Sequence, residues 1–436
     1  MKPWRTDGYP RRRRLAAALA LLISAIVAGH FGRAEPASAV PATLSRDRLA
    51  SVGEFIRNEI ATGKIPGAVI LIQQHGHPVY FETFGVQDVE SRRPMTADTI
   101  FRIYSMSKPI TSVAAMMLVE DGKLSLDDPV AKYIPAFAGV KVGVETSDEN
   151  GKPVLARERL KRPITIEDLL RHTSGLTYGF YGDNDVRRLY AASDMFDGDF
   201  DNAQFVERLA KLPLAEQPGT RWDYGHSTDV LGRVIEVISG QTLFQFEKQR
   251  LLDPLGMTET AFYVADPAQR SRIAEPMPDD RFVHPVAGII DSTLPRRWES
   301  GGAGMVATIG DYARFAQMLL NGGTLDGRRY LKPETVALMT SDHIGPETKI
   351  IHDPFYFPGP ESGFGLGFAV RTVVHPPHET WALGEYRWDG AAGTSFFVDP
   401  RDDLFTICMV QAPSQGGDIQ LMLKTLIYQA LASHHG

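Results

Sequence analysis

The chain has 436 residues, 43% apolar and 23% charged, with a formal charge of −7. That is the composition of an ordinary globular protein, with length for one large core or two smaller ones. Seven basic and two acidic residues among the first forty carry +5, leaving about −12 on the rest, which argues against a nucleic-acid partner whose phosphates demand a basic face.

The amino terminus reads as an export signal over 1–39. Arg11 to Arg14 form its positive region, Leu15 to Gly29 its apolar region, and Ala37-Ser38-Ala39 its small-residue cleavage site. The apolar run is about 15 residues, short of the ~20 that a bilayer span needs. An exported product, periplasmic or secreted, with no stable membrane span after cleavage is therefore expected; an uncleaved anchor is the alternative. Residues 40–436 then form one domain.

Leu44 to Ile60 has helical periodicity with Ser45 as N-cap. Gly67–Ile72 and Pro78–Phe84 read as a β-hairpin through His75-Gly76-His77. Ser105 opens a helix whose apolar face is Ile110, Val113, Ala114, Met117 and Leu118, with Gly122 as its C-terminal glycine. Ile164–His172 is a helix capped by Thr165, and the aromatic-rich stretch Tyr178–Asp201 reads as a surface excursion. Val230–Ser239, Phe244–Leu252 and Ile309–Leu320 are further helices. Strands return at Gly365–Val373, Glu385–Trp388, Thr394–Val398 and Leu404–Val410, with a turn at Pro400–Asp403, before a closing helix Ile419–Leu431. The one cysteine, Cys408, lies in an apolar strand and reads as core, so no intramolecular disulfide is available. Strands at both ends, near 67–100 and 363–412, enclose a mostly helical region over about 105–350. The fold class is α/β: an antiparallel sheet flanked by helices, with the active serine at the seam.

The chemistry centres on Ser105-Met106-Ser107-Lys108. Three residues apart on a helix, the Lys108 amine can sit beside the Ser105 hydroxyl, and a desolvated, neutral lysine can take its proton. The pairs His75/His77 and His375/His378 read as surface turns, because no further metal ligands cluster with them. Gly-x-Ser-x-Gly occurs nowhere, which argues against an α/β-hydrolase.

With Ser105 and Lys108 inside Phe101-Arg102-Ile103-Tyr104-Ser105-Met106-Ser107-Lys108, Tyr224-Gly225-His226 and Trp388-Asp389-Gly390 follow in order, and Ile164–Leu170 runs on into His172-Thr173-Ser174-Gly175-Leu176. This set resembles the serine β-lactamases of class C, the penicillin-binding DD-peptidases and, most closely, the family VIII carboxylesterases. The resemblance covers Leu44 to the carboxyl end and implies a β-lactamase/transpeptidase-like fold. It also implies an acyl-enzyme on Ser105, with Lys108 and a Tyr224 of lowered pKa moving the proton. The backbone N–H groups of Ser105 and Ala391 would form the oxyanion hole, with Trp388, Asp389, Gly390 and His226 binding substrate. No metal or organic cofactor is implied.

Two departures bear on the substrate. Trp388 and Asp389 stand where β-lactamases and DD-peptidases offer a lysine and a hydroxyl to a carboxylate, and His226 replaces an asparagine. An aromatic gives no ion pair and an aspartate repels a carboxylate, so a small neutral ester is the expected substrate. The aromatics Tyr178, Phe180, Tyr181, Phe355, Tyr356 and Phe357 suit an apolar acyl or alcohol pocket as well as ordinary loop anchoring. A β-lactamase or DD-peptidase with another carboxylate partner, an acyltransferase, and a non-catalytic peptidoglycan or peptide binder are the alternatives.

Overall fold

Alternation along one strand decides the layering. In the computed structural model, which describes residues 43–196, 199–280, 291–373 and 382–431, β1 (Gly67–Gln74) sends Ala68, Ile70 and Ile72 to one face and Val69 and Leu71 to the other. The first set packs with Leu49, Val52 and Ile56 of α1 (Arg46–Ala61) and with Leu423 and Ile427 of the closing helix Gly416–Leu431. The second joins the large core shared with the helical region. The export signal over 1–39 and the His375–His378 stretch lie outside the described residues.

β1 is the hinge of an antiparallel sheet that ties the two ends of the chain together. On one side it pairs with β2 (His77–Asp88), which continues to β3 (Arg93–Pro94). The β1–β2 turn carries positive φ at His75 (52°) and Gly76 (75°), the mirror-image turn that suits a twisted hairpin. From its carboxyl half the chain adds β4 (Ser362–Phe364), β5 (Ala369–Arg371), β6 (Tyr386–Asp389), β7 (Ser395–Asp399) and β8 (Leu404–Val410). The order is β4-β5-β6-β7-β8-β1-β2-β3, with Ile70 opposite Cys408 across the β1–β8 seam. Cys408 is buried and free, as expected.

Two expectations need correction. The single strand over Gly365–Val373 is the return half of a hairpin, broken at Gly367, where φ is +101° and an added Cβ would lie 2.4 Å from Ser112 Oγ. The stretch 178–201 is not a surface excursion: Tyr178, Val186, Tyr190, Met195 and Phe200 are buried, and Asp185–Ala191 is a helix capped by Asn184. Within the mostly helical region between 105 and 350, Lys141–Ser147 and Pro153–Arg159 also pair as a β-hairpin. The long helices fall where their periodicity places them: α2 (Ser107–Glu120), α3 (Ser227–Ser239) and α4 (Ile309–Leu320). Ser105 itself sits just ahead of α2, in a 3₁₀ turn over Tyr104–Met106.

Candidate active site

Ser105 stands at a forced corner. Tyr104, before it, has φ +42°, a left-handed conformation that a side-chain-bearing residue holds only when its surroundings impose it. The imposition is visible: Ile103 N–H donates to Met305 O (3.0 Å), Met305 N–H to Ser107 Oγ (3.1 Å), and the Tyr312 hydroxyl to Met106 O (3.0 Å). A short strand (Phe101–Arg102) thus turns abruptly into α2, with Ser105 half-buried at the corner.

Lys108, one turn further, is 1% exposed, and its Nζ lies 3.2 Å from Ser105 Oγ. Nζ also donates to Gly302 O (2.7 Å) and to the Tyr178 hydroxyl (3.3 Å). Burial pulls the amine down from 10.5 to about 7, against the opposing charges of Asp229 and Asp389. A carbonyl can only accept, so Gly302 O claims one N–H; with Tyr178 taking a second, a neutral amine turns its lone pair to Ser105. This is the geometry of a base beside its nucleophile.

Tyr224 precedes α3 and is buried, its hydroxyl receiving the Trp388 indole N–H at 3.3 Å. Its phenol was expected near neutrality; instead burial holds it well above 10. Lys108 does not reach the phenol oxygen but lies over the ring face, 4.5 Å from the centroid. His172 packs against the same ring at 4.9 Å and is neutral: burial first, and then the Lys108 charge, keep its pKa well below 6.5. Two groups beside one serine are therefore pushed in opposite directions, an amine toward neutrality and a phenol toward permanent protonation.

The β6 strand closes the other side. Trp388 faces inward and Arg387 points away to Ser362 Oγ (3.1 Å) and Pro358 O (2.6 Å), as alternation requires. Gly390 must be glycine, because an added Cβ would fall 2.4 Å from Ile103 O and push the strand end off the Ser105 corner. Neither the Ser105 N–H nor the Ala391 N–H meets an acceptor among the described residues. Asp389 is crowded by the cleft walls, which raise its pKa against Arg387 and Lys108; its side chain remains open to solvent, so its charge is partly screened.

Of the expected substrate contacts, Trp388 and His226 sit deeper than their assigned role. Trp388 is buried and spends its N–H on Tyr224. His226 is 1% exposed behind Tyr178 (rings 4.5 Å apart), its Nδ1 bonded to Asp229 Oδ2 at 3.1 Å. The aromatics divide. Tyr181 links Tyr224 to Phe357 (4.8 Å) and Phe355 (6.2 Å), whose rings are 47% and 41% exposed at the rim, whereas Tyr356 turns inward onto Trp222. The buried Arg187 holds this rim, donating to Tyr181 O, Asp223 Oδ2 (3.0 Å) and Asp353 Oδ2 (3.1 Å). Arg187, Asp229, Gly302 and the hydroxyl of Tyr178 went unnoticed as site residues in the sequence. Only Asp229 left a signal there, three residues after His226 on one helical face.

The sequence profile of the Beta-lactamase family matches residues 52–427. Lovastatin esterase of Penicillium rubens is 32% identical over 386 residues, covering 84% of this chain and 94% of its own. Esterase EstB of Burkholderia gladioli is 31% identical over 388 residues, covering 84% and 91%. Among solved structures, EstCE1, described as a hydrolase with promiscuous acyltransferase activity, superposes with a TM-score of 0.73 at 28% identity, covering 88% of this chain and 99% of its own.

Proposed function

The chain belongs to the Beta-lactamase family, and from that premise we propose that it forms an acyl-enzyme on Ser105 and hydrolyses small neutral carboxylic esters. The neutral Lys108 amine takes the Ser105 proton as Oγ attacks the ester carbonyl, and the Ser105 and Ala391 N–H groups receive the developing oxyanion. Tyr224, a protonated phenol fixed by Trp388, donates to the departing alkoxide and regains a proton from the Lys108 ammonium through a water, because the amine does not itself reach the phenol oxygen. Water then attacks the acyl-enzyme, giving its proton to Lys108, and Ser105 leaves as the hydroxyl with that proton. The acid product loses its own proton to solvent.

The observation that carries the ester reading is the character of the β6 end. The residue in the lysine position is a buried tryptophan already bonded to Tyr224, and the next is an aspartate open to the cleft. At positions 388 and 389 themselves a substrate carboxylate would meet an aromatic in place of a cation, and one like charge. The esterase names of two relatives support the same reading.

A matched pair of substrates tests it. kcat/KM for p-nitrophenyl butyrate is expected to exceed that for p-nitrophenyl hydrogen succinate, which differs by a terminal carboxylate, by about tenfold or more from the like-charge term. Asp389→Asn should narrow the gap, and equal rates on both esters would remove the argument. Adding butanol to the same assay separates the acyltransferase reading, which the description of EstCE1 favours: butyl butyrate would then compete with butyric acid. The signal-like terminus further supports export, with a mature chain beginning at Val40. Amino-terminal sequencing of protein recovered outside the cytoplasm checks this, and an intact Met1 there would refute cleavage.

A further inference from the structure

Lys108 needs more than burial to serve as a base; it needs a fixed direction. Its shortest contact is to Gly302 O at 2.7 Å, a carbonyl 194 residues away on a turn shortly before α4. That turn is held from behind by the Thr111 hydroxyl, which donates to Gly301 O at 3.1 Å, and by a carboxylate. Asp229, on the first turn of α3 and 4% exposed, receives the Gly302 N–H at 3.2 Å and the Ser300 hydroxyl at 2.6 Å on Oδ1, and His226 Nδ1 lies 3.1 Å from Oδ2. The peptide unit it grips has no room for a side chain: a Cβ on Gly302 would lie 3.0 Å from Asp229 Oδ2. Thr111 shares in holding the turn, but the carboxylate grips the Gly302 peptide itself and also places a charge behind it.

We propose that Asp229 is a positioning residue: its carboxylate fixes the Ser300–Gly302 turn that aims the Lys108 amine at Ser105, and it supplies the negative charge that balances this amine between its two protonation states. The proposal rests on the reading of Ser105 and Lys108 as nucleophile and base. Lys108 is faced by Asp229 from α3, by Asp389 from β6, by the neutral His172, and by Tyr178 and Tyr224. Of these, Asp229 and Asp389 bring the negative charge, and only Asp229 also grips the Gly302 peptide. Asparagine at 229 keeps acceptors for Ser300 and Gly302 and can donate to His226, so it removes charge with little change of shape.

The test reads the rate at which a fluorophosphonate labels Ser105 across pH 5–10, normalised to folded protein, which needs no knowledge of the substrate. In the parent, labelling should rise with pH as Lys108 loses its proton. Asp229→Asn should shift the midpoint down by about one pH unit, because the charge favouring the ammonium is gone. Asp229→Glu, which keeps the charge, should leave the midpoint near the parent's. Should Asp229→Asn not fold, Ser300→Ala takes its place: it strips a donor from the same carboxylate, strengthens its pull on Lys108, and should raise the midpoint. An unmoved midpoint in the variant that folds, or the same loss of rate with Asn and Glu, overturns the proposal. A parent that does not label at all overturns it together with the proposed function. Labelling without ester turnover overturns the proposed function alone.

Discussion

Lys108→Met is expected to lower kcat/KM for p-nitrophenyl butyrate by about 10³-fold, the usual worth of a positioned general base, without lowering the melting temperature at pH 7. The activity loss follows from the 3.2 Å contact with Ser105 Oγ, which makes Lys108 the base that takes the serine proton. The stability result follows from the direction of the pKa shift. An amine of pKa 10.5 in the unfolded chain and about 7 when folded binds its proton less well in the folded state. Above both values neither state is charged and the shift costs nothing. As pH falls through 10.5 the unfolded chain gains a proton that the folded chain refuses, and the penalty grows until it is complete below about 7. It amounts to a few kcal/mol at neutral pH.

Methionine of similar length removes that penalty, but leaves the Gly302 carbonyl without its donor, which returns about 1–3 kcal/mol. The variant should therefore melt at or above the parent at pH 7, and its advantage should shrink as pH approaches 10. Thermal melts at pH 6, 8 and 10 check this. A large drop at pH 7 would mean that Lys108 holds the fold together rather than being held by it.

Ser105→Ala should remove ester turnover by about 10⁵-fold or more, since a nucleophile lost from a cooperating set costs nearly the whole rate. The corner at Tyr104 should survive, because Met305, Ser107 and Tyr312 hold it through bonds that do not involve the Ser105 hydroxyl. Melting should thus stay within about 0.5 kcal/mol of the parent, and intact mass after fluorophosphonate treatment should be unchanged. Residual turnover above a hundredth of the parent's would place the nucleophile elsewhere.

What the sequence made legible was local. The three-residue spacing of Ser105 and Lys108 predicted their contact because a helix fixes it. Cys408, the β1–β2 turn and the span Ile309–Leu320 were equally local. What it hid was the partner across the fold. The Gly302 carbonyl reaches Lys108 from 194 residues away through a backbone atom, which no residue type announces. Tyr178 and Tyr190 were read as surface because their stretch is polar and lacks a period, yet aromatic packing buries both. The hairpin Lys141–Arg159 carried a usable signal in Asn150-Gly151, outweighed by charges on its strands. The proton affinity of Tyr224 depended on burial, which raised the phenol instead of lowering it.

The central claim, that Ser105 acts on neutral esters and that Trp388 and Asp389 end recognition of a substrate carboxylate, is tested most directly by measuring p-nitrophenyl butyrate and nitrocefin turnover side by side on the mature protein and on Ser105→Ala. The account predicts ester hydrolysis far above nitrocefin hydrolysis, with both abolished in the variant. Efficient nitrocefin turnover by the parent would contradict it and point to a carboxylate site elsewhere in the cleft.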